Sequence, residues 1–223
     1  MVWDDSHRDN VTACKMRQYL QKIATGPELS KDLSRDEARA AMTEILSGGA
    51  DPVQAAIFLI ALRMKRETMA ENQGVLDALL AHANQASAKV DDVLDLSDPF
   101  DGFTRGMPVA PFLPAVFAAC GIATVSNGAE SIGPKFGATH RKVCNSAGID
   151  VDLSPDQAAE KTTDPAIGCA DGDQMIACPS IQEVDELLTR IVERPCLTTL
   201  EVLLGPVRCR SRTHCLSGRF NTP

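Results

Sequence analysis

The sequence predicts an α/β fold in which an N-terminal helical bundle precedes a domain built on a mainly parallel sheet. Three observations carry that prediction. Residues 33–80 hold two helix starts with capping-box spacing and a third opened by Asp-Pro. The segment ANQASAK after Ala83 is small and polar and marks a joint. Beyond it, short strand-like and helix-like pieces alternate, the pattern of parallel strands joined by crossover helices.

Taken in order, residues 11–25 predict an opening helix, stopped by Gly26-Pro27. Ser34 and Glu37 then have the spacing of a capping box, and Gly48-Gly49 close the helix they open. Asp51 caps the next helix, with Pro52 where no amide hydrogen is needed. Its text, VQAAIFLIALRM, is apolar nearly all round and predicts burial on more than one side. Thr68 and Glu71 repeat the capping box for a third helix. Past the joint, VDDVLDL predicts the first strand, PFLPAVFAACG a helix, IATVS a strand, and GATHRKVCNSAG a helix ended by Gly148. SPDQAAEK predicts a helix with Ser154 as cap, Pro155 in its first turn and Gln157 completing the box. MIACPS reads as a strand, and IQEVDELLTRIV and TTLEVLLG as two more helices. No internal repeat or low-complexity segment is present.

Composition narrows the function classes. The 223 residues are enough for one or two domains and a sizeable core. Apolar residues at 44% and charged residues at 23% are ordinary for a globular chain. A net charge of −8 argues against a broadly basic nucleic-acid footprint, although it leaves room for a local basic groove. No run reaches the ~18 apolar residues of a membrane span, and the polar, acidic start MVWDDSHRDN is no secretory signal. The expected compartment is the cytoplasm. None of the eight cysteines forms a C-x-x-C pair; Cys120 and Cys144 sit among small and apolar residues and read as core thiols. Cys209, His214 and Cys215 are three soft ligands without an evident fourth, so no metal site is assigned.

Within residues 33–80 the order "D/E-E-A, M, I-L, G-G, D-P-x-Q-A-A-x-F-L-x-A-L-R-x-K, E-T, E-N" resembles the N-terminal helical domain of the anthranilate phosphoribosyltransferase family. Arg63, Lys65, Glu67 and Thr68 stand at its "R-x-K-G-E-T" turn, with Arg66 in place of the glycine. RPCLTTLEVLLGPVR, residues 194–208, resembles its "R-x-x-x-x-T-x-x-x-L-L-G-P" segment. Related pyrimidine nucleoside phosphorylases and nucleic-acid-binding paralogues share the helical scaffold. The resemblance implies a helical domain of residues 11–83 with 178–206 returning to it, and an α/β domain of 90–177 and 207–223. That second domain is shorter than in the family, with the rest of its sheet and an acidic magnesium-holding pair absent.

A phosphoribosyl transferase must hold a pyrophosphate and a 5-phosphate, work suited to glycine-rich loops ahead of helices, where bare amides face anions. Two loops here follow a strand and precede a helix. In the first, residues 97–106, the resemblance places the family's "G-T-G-G-D-G", of which Asp101 and Gly102 survive. Asp98, Pro99 and Phe100 replace its glycines; the proline removes an amide donor and the aspartate adds a repelling charge. The bland alternative is an acidic surface loop. The second, residues 126–139, resembles "K-H-G-N-R-x-x-S" at Gly128 and Ser131, while Ser126, Asn127, Ala129 and Glu130 fill the lysine, histidine, asparagine and arginine positions. Gly128, Gly133 and Gly137 permit close backbone approach, Ser131, Lys135 and Thr139 can bond an oxyanion, and Thr139 can cap the next helix. The bland alternative here is a glycine-permitted turn with its lysine in water. The phosphate candidates are therefore Asp101, Gly102, Gly128, Ser131, Lys135 and Thr139. Asn127 and Arg194 are the acceptor-binding candidates, with Arg190 competing for the second position. His140 is an acid or base candidate, or simply a solvent-facing histidine at a helix start. No residue is assigned a catalytic role.

The resemblance implies transfer of phosphoribosyl from phosphoribosyl pyrophosphate, with Mg2+, to anthranilate or a similar amine, in a crevice between the domains. The departures in both loops predict weak or absent activity in this form. The rival reading is a non-catalytic nucleic-acid-binding paralogue, supported by "G-P-K-x-G-x-T" and by the basic residues Arg208, Arg210, Arg212, His214 and Arg219. A homodimer through the helical domain is the further partner expectation, and no membrane is expected.

Overall fold

The computed structural model describes residues 11–26, 28–98, 102–104, 108–133, 135–209 and 211–216, with the backbone alone for 11–15 and 211–216. Four helices come first: α1 (Val11–Ile23), α2 (Arg35–Leu46), α3 (Pro52–Lys65) and α4 (Met69–His82). Their starts are the predicted ones. The Ser34 hydroxyl accepts from the Glu37 amide at 3.2 Å, and the Glu37 carboxylate accepts from the Ser34 amide at 2.7 Å. Asp51 Oδ1 accepts from the Val53 and Gln54 amides. The second box, Thr68 with Glu71, does more than cap. Glu71 is fully buried and also accepts from the Leu33 amide at 2.8 Å and from Lys65 Nζ at 2.7 Å. One carboxylate thus ties the entry of α2, the end of α3 and the start of α4.

α2 and α4 cross closely because Gly74 has no side chain: a Cβ there would meet the Arg35 carbonyl and Ala38. α3 buries Ala55, Phe58, Leu59 and Leu62. Its other face stays open, with Val53 66% and Met64 77% exposed, so the burial on several sides predicted from its apolar text does not occur within one chain. α3 ends at Arg66, which adopts φ 69°, a left-handed backbone that favours the glycine absent there.

The second half alternates as expected, in detail with differences. It comprises β1 (Ala86–Ser87), β2 (Asp92–Ser97), a short 3-10 turn (Ala110–Phe112) leading into α5 (Leu113–Ala119), β3 (Thr124–Gly128), α6 (His140–Ser146), α7 (Pro155–Thr163), β4 (Cys169–Asp173), α8 (Gln174–Ala177), α9 (Pro179–Ile191), α10 (Leu197–Leu200) with a 3-10 turn (Glu201–Leu203), β5 (Val207–Arg208) and β6 (Ser211–Leu216). β2, β3, β4 and β6 form a parallel sheet in the order β4-β3-β2-β6, and β1 pairs with β5 in a small parallel ribbon. The linker ANQASAK therefore contains a strand. MIACPS is not a strand: CADGD is, and Asp173 accepts from the Met175 and Ile176 amides to start α8 in its place. CADGD has no β-branched or aromatic residue and is held by its neighbour β3 rather than by propensity.

Two buried clusters result. The larger joins Met16, Met42, Phe58, Leu59 and Leu79 to Cys178, Ile181, Leu188, Leu197 and Leu204, so α9 and α10 pack with the first four helices. The smaller sets Val93, Val125 and Ala170 of the sheet against Leu153, Ala158 and Ala159. Cys144 is buried as expected, whereas Cys120, at the end of the short α5, is exposed and not a core thiol.

Candidate functional site

The carboxyl ends of β2, β3 and β4 carry buried polar residues, where ligands bind in open parallel sheets. Leu96 of β2, Ser126 of β3 and Asp171 of β4 stand in register, and the Ser126 hydroxyl donates to Asp171 Oδ1 at 2.7 Å. Alternation sends Asp95, Ser97 and Asn127 to the opposite face. There the Ser97 hydroxyl donates to Asp95 at 3.4 Å. Asn127 is 7% exposed, and neither atom of its amide finds a hydrogen-bond partner among the described residues. Ser126, Asn127 and Gly128 belong to β3 itself, so the second loop starts three residues later than the sequence predicts.

The two candidate loops meet. Phe103 and Ala138 form an antiparallel bridge, with amide-to-carbonyl bonds of 2.9 and 2.8 Å. The approach requires two glycines. Gly102 has φ 89°, and a Cβ on it would lie 3.0 Å from Lys135; a Cβ on Gly137 would overlap the carbonyl oxygens of Gly102 and Phe103. Gly133 has a different job: its amide donates to Asp185 Oδ1 at 2.9 Å, and a Cβ there would press 2.5 Å from the Thr189 nitrogen. The second loop is thus sewn to the first loop on one side and to α9 on the other.

Lys135 faces neither water nor an open cavity. Its side chain is 2% exposed and Nζ lies 2.6 Å from Oε1 of Glu201, itself fully buried. Thr139 is buried and caps α6 by accepting from the Lys142 amide. His140 is buried too, with Nε2 3.6 Å from Oδ2 of the buried Asp98, so it is no solvent-facing histidine and Asp98 is no surface residue. Gly128 is buried at the end of β3 opposite Asp173, Ser131 is half-buried, and Glu130 is exposed. Arg194 is half-buried between α9 and α10; Arg190 instead pairs with Glu186 on the surface. Beside Arg194, burial pushes the Cys196 thiol up to about 12, with Glu67 adding to the effect. Asp101, Pro99 and Phe100 lie outside the described residues. So do Arg210 and Arg219 and the side chains of Arg212, His214 and Cys215; Arg208 is exposed.

The local charge balance is unfavourable to a bare pyrophosphate. Asp95, Asp98 and Asp171 are buried at the strand ends. Among the described residues the nearby cations are engaged: Lys135 by Glu201, and Arg141 by Asp173 at 3.0 Å, by Asp152 and by the Val151 carbonyl. Lys142 Nζ donates to the carbonyls of Phe136 and Gly137. A hollow of about 520 Å³ opens beside Phe112, Ala138, Lys142 and Val143. Among the described residues no three acidic, histidine or cysteine side chains are placed to hold a metal ion. Glu201, Asp171 and Asp95 are not singled out by sequence reasoning. Glu201 does leave a signal, a single acid in the apolar run TTLEVLLG, which must find a partner if that run is buried.

Residues 17–83 match the glycosyl transferase family, helical bundle domain. Over 138 residues the chain is 35% identical to an anthranilate phosphoribosyltransferase of Rhodococcus jostii, covering 62% of this chain and 37% of the relative. It is 28% identical over 196 residues to that of Mycobacterium ulcerans, covering 87% and 51%. The chain therefore spans about half or less of these curated relatives. In fold it is similar to anthranilate phosphoribosyltransferase from Thermus thermophilus, with a TM-score of 0.75, 18% identity, and coverage of 91% of this chain and 58% of that one. The Saccharomyces cerevisiae protein in complex with PRPP and Mg gives 0.72 at 14% identity, covering 92% and 59%.

Proposed function

We propose, from the premise that this chain belongs to the anthranilate phosphoribosyltransferase family, that its strand-end loops are a phosphoribosyl pyrophosphate site. Its reaction is transfer of phosphoribosyl to anthranilate or a similar amine, at a weak or negligible rate in this form. The observation that carries the reading is the Phe103–Ala138 bridge, which sets the two loops side by side at the ends of β2 and β3. Glycosyl transfer of this type gains rate from positioning and from charges aimed at the transition state. Loop amides are the donors for phosphate oxygens, and the Asn127 side-chain amide, without a partner among the described residues, is the donor and acceptor for the amine. Asp98 and the tied-down Lys135 oppose the first of these roles, which is why low activity is expected. The magnesium expectation comes from the family resemblance, in keeping with a fold neighbour from Saccharomyces cerevisiae in complex with PRPP and Mg, and no step here is routed through the ion.

The division of the chain follows the same reading: residues 11–83 with 178–206 form the helical unit, and 90–177 with 207–223 the sheet unit. The single buried cluster shared by α1–α4, α9 and α10 supports it. The apolar face of α3 beside Leu187 and Ile191 of α9 supports a homodimer through the helical unit, checked by sedimentation. No helix among the described residues is long and apolar enough to cross a membrane; the compartment proposed with this reaction is the cytoplasm. The functional test is a fluorescence assay of anthranilate consumption with phosphoribosyl pyrophosphate and magnesium. Turnover about a hundredfold or more below that of the Rhodococcus jostii relative is expected; turnover equal to it sinks the low-activity reading.

A further inference from the structure

We propose that Glu201 is a built-in occupant of the anion seat on the second loop, an autoinhibitory contact that a ligand's phosphate group must displace. This rests on the phosphate-binding reading above and concerns how that same site is regulated.

Lys135 is the buried cation of this loop, and Glu201 holds its ammonium at 2.6 Å with both side chains out of solvent. The lysine is rooted where the two loops touch, since its Cα and Cβ lie 3.0 Å from the place a Gly102 Cβ would take. Its head therefore reaches from the loop contact to the 3-10 turn after α10. A carboxylate and a phosphate are alternative partners for one ammonium, each supplying charge-assisted hydrogen bonds. Lys142, on α6 behind the loop, is no substitute, because its Nζ faces the carbonyls of Phe136 and Gly137. In a dry environment the Lys135–Glu201 attraction is strong, and removing the carboxylate leaves the buried Lys135 ammonium without that counter-charge. Only a ligand that brings its own negative charge to Lys135 can take the place of Glu201; a neutral sugar cannot. The contact also adds to the second loop's ties to the helical unit, since Gly133, two residues before Lys135, is bonded to Asp185 of α9. Release of Lys135 is thus expected to loosen residues 133–139, and the population held by Glu201 lowers the apparent anion affinity by its own fraction.

Calorimetric titration with inorganic pyrophosphate tests this. Glu201→Gln, shown to be folded by its cooperative thermal transition, is expected to bind pyrophosphate roughly tenfold or more tighter than the unmodified protein. Adding Lys135→Met to that variant should abolish the gain. Equal affinity in folded Glu201→Gln, or a gain that survives loss of Lys135, overturns the proposal. Should Glu201→Gln fail to fold, hydrogen exchange on the unmodified protein decides. Millimolar pyrophosphate should speed exchange across residues 133–139, and unchanged exchange overturns the proposal. Pyrophosphate binding is read without turnover, so an absence of transferase activity in every variant defeats the functional reading and leaves this test intact.

Discussion

Residues 33–82 and residues 97–139 both have to satisfy backbone groups at chain joints, and they do it by opposite means. In the helical segment the donors find partners three residues away, through Ser34 with Glu37 and Thr68 with Glu71. In the loop segment several partners lie far along the chain: Asp185 for the Gly133 amide, and the Phe103 and Ala138 carbonyls for each other's amides across 35 residues, while Glu201 answers the Lys135 ammonium across 66. Local capping makes a joint that is legible and self-sufficient. Long-range capping makes a joint whose shape depends on the rest of the fold. In this chain the second kind sits where a ligand is expected.

One residue blurs the contrast, and it gives the largest expected effect. Glu71 caps its own helix but also bonds Leu33 and Lys65. Glu71→Ala should cost about 3 kcal/mol or more, because the Leu33 and Thr68 amides lose their acceptor at about 1–3 kcal/mol each, while Lys65 keeps Asp32 at 2.7 Å. Denaturant unfolding measures it; a loss near the ~1 kcal/mol of a simple cap would mean the hub adds nothing.

Next comes the loop side. Gly137→Val places a side chain on the carbonyls of Gly102 and Phe103, so the loops must part. A loss of about 1–3 kcal/mol is expected, together with faster hydrogen exchange at the Phe103 and Ala138 amides. Retained protection there would show that the bridge is not what joins the loops.

A smaller change of opposite sign belongs to the helical side. Arg66→Gly relieves a side chain held at φ 69° and should stabilise by about 1 kcal/mol, less the extra freedom glycine brings to the unfolded chain. An unchanged melting temperature would place the strain elsewhere.

The smallest effect is a pH dependence. The Lys22 ammonium, with the Ser34 amide, holds the Glu37 carboxyl below its ordinary value of 4.5. A carboxyl lowered in the folded state stabilises the fold fully above its unfolded value, and the contribution drains away as pH falls through the folded one. Melting temperatures taken downward from about pH 6 should therefore fall less steeply in Glu37→Gln below about pH 4.5. Asp77, held down by Arg35, keeps the remaining acid slope in both proteins. Identical slopes would remove Glu37 from the account.

The same contrast explains how much can be read in advance. The helix starts at Ser34, Asp51, Thr68, Thr139 and Ser154 are legible because a cap and its target sit within one turn. β4 escapes the sequence reading because Cys169–Asp173 has no strand-like side chains and is defined by β3 beside it. The open face of α3 escapes it because an apolar helix text does not say which neighbours a single chain supplies. Among the site candidates, Gly102 and Gly137 are visible as glycines. Their purpose is not, because it is to let Phe103 meet Ala138, a contact between two loops distant in the chain.

By itself the amino-acid order determined the helices, their joints and the alternation of the second half, since capping and hydrophobic periodicity act over a few residues. Only the tertiary structure decided where the charges went. Lys135, Asp98 and His140 carry the same chemistry in any fold, but whether a lysine meets a ligand or a glutamate 66 residues away is settled by packing. The physical reason is that a buried charge must find its counterpart in space, and chain separation places no bound on where that counterpart comes from.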